Sequence, residues 1–338
     1  MRPFLYQRAG GVAEAMQAAS ASGGIPPTLA PAQYLAGGTT LLDLMKLDVM
    51  RPERLVDVNG LDPAGSRIER RGDGMRLGAF VTMAAAAAHP VIRRDYPLVA
   101  QSLDLAASPQ IRNMATLAGN VLQRTRCGYF RDTSWPACNK REPGSGCAAL
   151  AGVNRKHAVL GVSEHCIATY PGDFAQALVA LDAAVEIAGS FGARVMPFEA
   201  LHRPPGDAPH IETVLQPGEL ITGFRLPVAP WTRRSLYLKV RDRQSYEFAL
   251  ASAAVALDMA EGRVSQARIA LGGVAAKPWR AREAEAALQG RVLDETAARR
   301  AAEAAFAGAQ THGGNDHKPE LGKRTLVRAL LQAAQLSI

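Results

Sequence analysis

Four cysteines lie between Val121 and Tyr170, and the 338-residue chain contains no others. They are Cys127, Cys138, Cys147 and Cys166, with the spacing C-x10-C-x8-C-x18-C. Such thiols can bind zinc, ligate an iron–sulfur cluster or form disulfides. A four-cysteine zinc site usually contains two close C-x2-4-C pairs, which are missing here. The wide spacing favours a [4Fe–4S] cluster, whose thiolates need only converge in space, and leaves zinc and structural or free thiols as alternatives.

The same stretch is strongly basic. It has seven Lys or Arg against three Asp or Glu, and so carries +4 of the chain's net charge of +8. Basic side chains and backbone amides of this kind offset the negative charge of a thiolate-bound cluster. His157 and His165 also lie here, but four cysteines suffice as ligands, so we expect both to be ordinary loop histidines.

The whole chain has a net charge of +8 and a pI near 9.6, values that are found in nucleic-acid-binding proteins. Outside the cysteine-rich stretch, however, the basic residues form no long cluster, and we predict no nucleic-acid partner. No apolar run approaches the roughly 18–20 residues of a membrane-spanning helix, so we also predict no membrane insertion. No signal peptide is recognisable, which predicts a cytoplasmic protein unless a partner exports it.

Two glycine-containing turns have the composition of phosphate-binding loops. The first runs from a predicted strand at Tyr34-Leu35-Ala36 through Gly37-Gly38-Thr39-Thr40 into a helix. Consecutive glycines allow backbone amides to point at one anion, and threonine hydroxyls add further donors. The second turn, Thr116-Leu-Ala-Gly119-Asn120, directly precedes the cysteine-rich stretch. Neither turn has a Walker or Rossmann pattern, and by itself the first also fits a plain tight turn.

Asp173 directly follows the cysteine-rich stretch, in Cys166-Ile-Ala-Thr-Tyr-Pro-Gly-Asp173. A buried carboxylate at this position could hold a ribose or ribityl hydroxyl of a cofactor. Alternatively, it could cap the helix that is predicted to begin at Phe174.

Short strands and helices must position these residues. Up to residue 60, periodicity predicts a helix over Val12–Ala19, a helix from Thr40 to about Leu47 and a strand over Arg54–Val58. Further strands are predicted at Met75–Leu77, Val185–Ala188 and Ile221–Leu226, and helices at Pro97–Ala106 and Phe174–Leu181. The segment Pro227–Pro230 marks a linker.

The C-terminal part contains a predicted hairpin and two helices. Ala254–Met259 and Val264–Leu271 alternate on either side of Glu261-Gly262, as hairpin strands do. Thr296–Ala307 is predicted as a helix capped by Asp294. The last helix has one apolar face, formed by Leu326, Val327, Leu330, Leu331 and Ala334. This mixture predicts an α+β chain and not a regular βαβ array.

These motifs together resemble the flavoprotein subunits of the xanthine dehydrogenase family of molybdenum hydroxylases. AGGTTLLDLMK, which begins at Ala36, is similar to the family's first pyrophosphate loop. ATLAGN, which ends at Asn120, is similar to its second FAD loop, usually ATxGGN, with Ala118 in place of the first glycine. The stretch RIALGGVAAKPWRAREAE is similar to the family's C-terminal domain. The resemblance covers essentially the whole chain.

The resemblance implies a two-subdomain FAD-binding fold of the vanillyl-alcohol oxidase (PCMH) type, followed by an α+β C-terminal domain. The expected boundaries are 1–229 for the first domain, with subdomains at about 1–60 and 61–229, and 230–338 for the second. The cysteine-rich insert lies at about 121–170. The implied FAD-binding residues are Leu35, Ala36, Gly37, Gly38, Thr39, Thr40, Leu41, Leu42, Ala106, Thr116, Gly119, Asn120, Asp173, Ile221 and Lys239.

The insert narrows the resemblance. Most flavoprotein subunits of the family pass from the second loop to the Asp within a few residues, whereas about fifty intervene here. The insert looks like that of periplasmic aldehyde oxidoreductase flavoproteins, which implies that Cys127, Cys138, Cys147 and Cys166 ligate a [4Fe–4S] cluster. A related insert with different cysteine spacing occurs in 4-hydroxybenzoyl-CoA reductase flavoproteins.

By this resemblance the chain is part of a heterotrimer with a molybdenum-cofactor large subunit and a [2Fe–2S] small subunit. Electrons from a substrate such as an aldehyde would pass through the [2Fe–2S] clusters to FAD and on to an external acceptor. No substrate-oxidising residue is then expected in this chain. Tyr246 could line the flavin or be a core tyrosine. The complex would be periplasmic through a signal-bearing partner, or cytoplasmic.

Three alternatives stay open at this point. The chain could be the flavoprotein of a related hydroxylase or CoA-ester reductase. A zinc-stabilised nucleic-acid-binding protein would account for the charge and the cysteines but not for the glycine turns. An assembly subunit with an empty flavin site is the third.

Overall fold

The computed structural model of the protein describes residues 1–20, 25–26, 28–61, 63–72 and 74–338. Short strands and helices alternate along the chain, and the strands form three separate sheets. This arrangement confirms the predicted α+β class. Within these described ranges, no helix is long and apolar enough to cross a bilayer.

The N-terminal elements form a small parallel sheet. They are β1 (Leu5–Arg8), α1 (Val12–Ser20), β2 (Ala32–Leu35), α2 (Leu41–Lys46) and β3 (Arg54–Asp57). The strand order is β1-β3-β2, and both outer strands pair in parallel with β3. Parallel strands need crossover connections, which α1 and α2 provide. All five elements lie where the sequence predicts short alternating structure.

The second sheet is antiparallel and has five strands. They are β4 (Ile68–Arg71), β5 (Gly74–Gly78), β6 (Ala184–Gly189), β7 (Gly192–Pro197) and β8 (Leu220–Leu226). The order is β4-β5-β8-β6-β7. The sequence predicts β5, β6 and β8 but misses the two edge strands, because both are mostly exposed and lack an apolar alternation.

Helices occupy the sequence between β5 and β6. They are α3 (Met83–Ala88), α4 (Pro90–Asp95), α5 (Pro97–Asp104), α6 (Pro109–Met114), α7 (Leu117–Val121), α8 (Gly128–Arg131) and α9 (Phe174–Ala180). Three of them begin at a proline, which suits the first helical position because its missing N–H has no partner there. Every residue of α9 is buried.

The C-terminal part packs three helices on a third sheet. Its elements are β9 (Ser235–Val240), β10 (Ala251–Ala260), β11 (Arg263–Gly272), β12 (Trp279–Arg280), α10 (Arg282–Leu288), α11 (Glu295–Phe306) and α12 (Lys318–Ala334). The predicted hairpin is confirmed as β10 and β11, with positive φ at both Glu261 and Gly262. The predicted cap is confirmed as well, since the Asp294 carboxylate accepts a hydrogen bond from the Ala297 amide at 2.7 Å.

The cysteine-rich insert contacts both halves of the molecule. Val159 and Leu160 are buried in the core of the C-terminal part, and Leu160 forms a parallel bridge with Ala275. Asn315 Nδ2 donates to the carbonyl of Ala158 at 3.0 Å. The end of the insert is therefore fixed to elements that lie more than a hundred residues further along the chain.

Lys318 makes a second tie between the insert and the C-terminal part. Its side chain is fully buried, and its Nζ donates to the carbonyls of Lys156 at 2.9 Å and Gly273 at 2.5 Å. Burial, helped by the positive charges of Arg155 and Lys156, lowers the pKa of Lys318 to about 7.

Candidate functional site

One large cleft lies beside the parallel sheet, the connection between α6 and α7, and the loops that precede β8. It contains about 1750 Å³ of empty space, including its opening to solvent. Most of the predicted cofactor residues line it: Ala36, Gly37, Gly38, Thr39, Thr40, Leu41, Thr116, Gly119 and Ile221. The fold thus brings both glycine turns to one cleft, although they are far apart in the sequence.

The first turn can only be built with glycine. A Cβ on Gly37 would lie 1.9 Å from the backbone oxygen of Met114, and Gly38 has a φ of +71°. In the described part of the chain, none of the amides of Gly37, Gly38, Thr39 and Thr40 donates to a backbone carbonyl. These amides line the cleft and are available to an anionic group, as phosphate-binding turns require.

Thr116, Ala118 and Gly119 of the second turn line the cleft. Thr116 Oγ1 accepts a hydrogen bond from the Gly119 amide at 3.2 Å and so caps α7. Asn120 is buried, and its Nδ2 contacts Met83 Sδ at 3.3 Å. Its Oδ1 has no hydrogen-bond partner among the described residues, which leaves one acceptor for a bound group or a water.

The remaining predicted cofactor residues lie outside the cleft lining: Leu35, Leu42, Ala106, Asn120, Asp173 and Lys239. Two of them are partners of each other. Lys239 Nζ is 2.8 Å from Asp173 Oδ2, and the Tyr237 hydroxyl donates to Asp173 Oδ1 at 2.6 Å. Lys239 also donates to the carbonyl of Leu105 at 3.0 Å. The Asp173 side chain makes no capping bond to α9, so that alternative was wrong.

A buried ion cluster, which the sequence analysis missed, also lines the cleft. Glu212 accepts from Arg124 Nε at 3.0 Å and from Lys140 Nζ at 2.8 Å. Burial alone would raise the pKa of Glu212, but the two cations outweigh it and bring that pKa to about 2. The sequence shows Arg124 and Lys140 as part of the basic stretch. It does not indicate Glu212, which lies in a distant loop without periodicity.

Half-buried Tyr34 and buried His202 also line the cleft. The Tyr34 hydroxyl donates to the Gly218 carbonyl at 2.8 Å, and burial raises its pKa. His202 Nε2 lies 2.9 Å from the carbonyl oxygen of Val121, and burial lowers the pKa of His202 to about 4. The imidazole is therefore neutral at pH 7 and donates from Nε2.

All four cysteines line a second, smaller cavity with about 280 Å³ of empty space. They are free thiols, which contradicts a disulfide arrangement. Burial raises the pKa of Cys127 to about 12 and that of Cys166 to about 11. Neither at this cavity nor anywhere else do the described residues contain a group of three or more His, Cys, Asp or Glu side chains that could hold a metal ion.

The structure also places the three aromatic side chains whose roles the sequence left open: His157, His165 and Tyr246. His157 is buried, and its Nε2 lies 3.2 Å from Cys127 Sγ, so it is not an ordinary loop histidine. His165 is exposed at the surface of its loop, as expected. Tyr246 is 56% exposed, which rules out the core alternative for this residue.

Comparisons with known proteins agree with this geometry. Residues 2–229 match the family model of the FAD binding domain in molybdopterin dehydrogenase, and residues 236–338 match that of the CO dehydrogenase flavoprotein C-terminal domain. The chain is 47% identical over 334 residues to the aldehyde oxidoreductase FAD-binding subunit PaoB of Escherichia coli, covering 98% of this chain and 99% of the relative. It is 30% identical over 267 residues to the carbon monoxide dehydrogenase medium chain of Afipia carboxidovorans, covering 79% and 75%.

A solved structure shares the architecture. The reconstituted CO dehydrogenase from Oligotropha carboxidovorans superimposes with a TM-score of 0.75 and 27% identity, covering 100% of both chains. The fold and the cleft define a flavoprotein subunit of an oxidoreductase complex. The chain belongs to the FAD-binding subunits of the molybdenum hydroxylase family, of the aldehyde oxidoreductase and CO dehydrogenase type. The predicted FAD-binding fold with its C-terminal flavoprotein domain is thereby confirmed.

Proposed function

We propose that the chain holds FAD in the large cleft and a [4Fe–4S] cluster in the cysteine cavity, as the electron-transfer subunit of an aldehyde-oxidising molybdenum complex. The observation that carries this proposal is the convergence of four free thiols on one cavity beside the flavin cleft. The 47% identity to an aldehyde oxidoreductase subunit supports the aldehyde as substrate class.

The protein's contribution to FAD is binding and orientation. The amides of Gly37, Gly38 and the two following threonines would hold the pyrophosphate. Thr116, Gly119 and Ile221 would line the remaining cofactor surface. The other proposed FAD residues would act from behind this layer: Leu35, Leu42, Ala106, Asn120, Asp173 and Lys239. Bound FAD would supply the redox chemistry.

The cysteine cavity suits a cluster better than zinc. A zinc site would bring four ligands to about 2.3 Å from one ion. The spacing C-x10-C-x8-C-x18-C lacks the close cysteine pairs that are usual in such a site, whereas the thiolates of a [4Fe–4S] cluster need only converge in space. Burial raises the pKa of Cys127 and that of Cys166, so a bound metal would have to stabilise their thiolate forms.

The domain and partner assignments complete the proposal. Residues 1–229 form the FAD-binding domain, with subdomains at about 1–60 and 61–229 and the insert at about 121–170, and residues 230–338 form the second domain. The partners are a molybdenum-cofactor large subunit and a [2Fe–2S] small subunit in a heterotrimer, which passes electrons to an external acceptor. The complex is periplasmic if a signal-bearing partner exports it, and otherwise cytoplasmic.

The proposal is tested by the metal and flavin content of the purified complex. Iron, acid-labile sulfide and FAD are measured for the wild type, Cys147→Ser and the control Ser134→Ala, in which an exposed residue of the same insert is replaced. We expect about four irons and one FAD assigned to this subunit in the wild type and the control. Cys147→Ser should lose iron and sulfide but retain FAD. Zinc in the wild type, with no sulfide beyond that of the [2Fe–2S] small subunit, contradicts the cluster. Loss of FAD without loss of iron in Cys147→Ser contradicts the assignment of the two cavities.

A further inference from the structure

The large cleft and the cysteine cavity share a wall. Lys140, Cys166 and Ala168 line both cavities, so each of them has one side toward the flavin cleft and the other toward the four thiols. Cys166 is one of the four thiols itself, and Ala168 is small and apolar. Lys140 is thus the only one of the three that brings a charge into the wall.

The charge of Lys140 is held in place and only partly neutralised. Its Nζ donates to Glu212 Oε1 at 2.8 Å and to the carbonyl of Pro209 at 2.9 Å. Glu212 is shared with Arg124, so two cations face one carboxylate. The side chains of Arg124, Lys140 and Glu212 are only 5%, 12% and 17% exposed.

A buried group of side chains with one excess positive charge is unfavourable unless an anion lies nearby. The contacts among Arg124, Lys140 and Glu212 do not supply that anion. Lys140 itself lines the cavity that the four thiols line. The excess charge therefore lies in the wall between the flavin cleft and the cavity in which a thiolate-bound cluster would be anionic.

We propose that Lys140 is a positioning residue that sets the reduction potential of the group in the cysteine cavity, with Glu212 as its anchor and counter-charge. This inference rests on the proposed function, since it assumes a cluster in that cavity. A cluster gains negative charge when it is reduced, so a buried cation in the wall stabilises the reduced form and raises the potential. The negative charge of Glu212 has the opposite effect and lowers the reduction potential.

The test compares the two signs of charge change. Lys140→Gln removes the cation and Glu212→Gln removes the anion, while Lys140→Arg retains the charge. Arg203→Gln is the matched control, because Arg203 lines the flavin cleft but not the cysteine cavity. Each complex is titrated electrochemically, and the reduced cluster is followed by electron paramagnetic resonance. Iron, sulfide and FAD are quantified in parallel.

We expect Lys140→Gln to lower the cluster potential, with about a tenfold change in the ratio of reduced to oxidised cluster at a fixed potential, or about 59 mV for one electron. Glu212→Gln should raise it, and Lys140→Arg and Arg203→Gln should leave it near the wild-type value. Equal potentials in all five proteins, or shifts of the same sign in both Gln variants, overturn the inference.

The outcomes also separate this inference from the proposed function. A wild-type complex with no iron and sulfide beyond the content of the [2Fe–2S] small subunit refutes the cluster itself. A wild type that holds the cluster and a Lys140→Gln variant with an unchanged potential refute only the role of Lys140. If Lys140→Gln loses iron, the comparison of Glu212→Gln and Lys140→Arg with the wild type still decides, because both retain an ammonium or guanidinium in the wall.

Discussion

Replacing Lys318 by methionine removes a buried charge but retains an unbranched side chain of similar length. Lys318 is fully buried, and its pKa falls from 10.5 to about 7. Each pKa unit corresponds to about 1.4 kcal/mol, so protonating this side chain costs roughly 5 kcal/mol more in the folded chain than in the unfolded one. Two backbone carbonyls, those of Lys156 and Gly273, lose their donor in the variant.

The sign of the pH dependence follows from the lowered pKa. Below pH 7 both states bind the proton, and the folded chain carries the full cost of the buried charge. Between pH 7 and 10.5 the unfolded chain still holds a proton that the folded chain has released, so the free energy of unfolding rises with pH. Relative to Lys318→Met, the wild type should therefore gain roughly 3–4 kcal/mol of stability between pH 7 and pH 10.

The assay is urea unfolding of the wild type, Lys318→Met and Lys323→Met, followed by tryptophan fluorescence at pH 7, 8, 9 and 10. Lys323 is the control, because it lies on the same helix but pairs with Glu303 at the surface. The difference between wild type and Lys318→Met should grow with pH, while the difference to Lys323→Met stays constant. A constant difference for Lys318→Met would refute the lowered pKa and the cost of the buried charge.

Three further outcomes are expected. Gly37→Ala places a methyl group against the Met114 carbonyl, and the resulting strain of about 1–3 kcal/mol should release most of the flavin on desalting. Gly11→Ala is the control, because a methyl group there meets open space. Full retention of FAD by Gly37→Ala would show that the turn does not hold the cofactor. Tyr237→Phe leaves Asp173 Oδ1 without its hydroxyl donor and should lower the free energy of unfolding by about 1–3 kcal/mol, as measured by urea unfolding at pH 7; an unchanged midpoint would mean that this bond contributes nothing. If the insert holds the proposed cluster, removal of metal by an anaerobic chelator should make residues 121–170 sensitive to limited proteolysis while FAD stays bound, because metal binding would contribute to the folding of that segment. Unchanged cleavage of the chelated protein would show that the insert orders itself without metal.

Local signals in the sequence account for the parts of the fold that were predicted. The β10–β11 hairpin needs only two alternating segments and a turn that accepts positive φ, and all of this is visible in consecutive residues. The Asp294 cap is visible in the same way, since the capping residue and the helix it caps are adjacent. Both glycine turns were found because their composition is unusual over a few residues.

The parts that were missed depend on contacts between distant segments. Asp173 pairs with Lys239, and Glu212 with Lys140, across 66 and 72 positions of sequence. Asp173 and Lys239 were predicted as cofactor residues and Lys140 lies in the basic stretch, but only the fold shows which of these charges pair. The edge strands β4 and β7 were not predicted for a related reason. Each pairs on one side only and has exposed residues, so its sequence shows no apolar alternation.

The ties from Asn315 and Lys318 to the insert set an order of events during synthesis. The last cysteine, Cys166, leaves the ribosome 152 residues before Lys318 does. At about 5–20 residues per second, this interval lasts roughly 8 to 30 s. Throughout that time the segment that carries the thiols lacks the contacts that later close it from the C-terminal side. The nascent chain thus carries its four thiols on a segment that its last helix has not yet fixed in place.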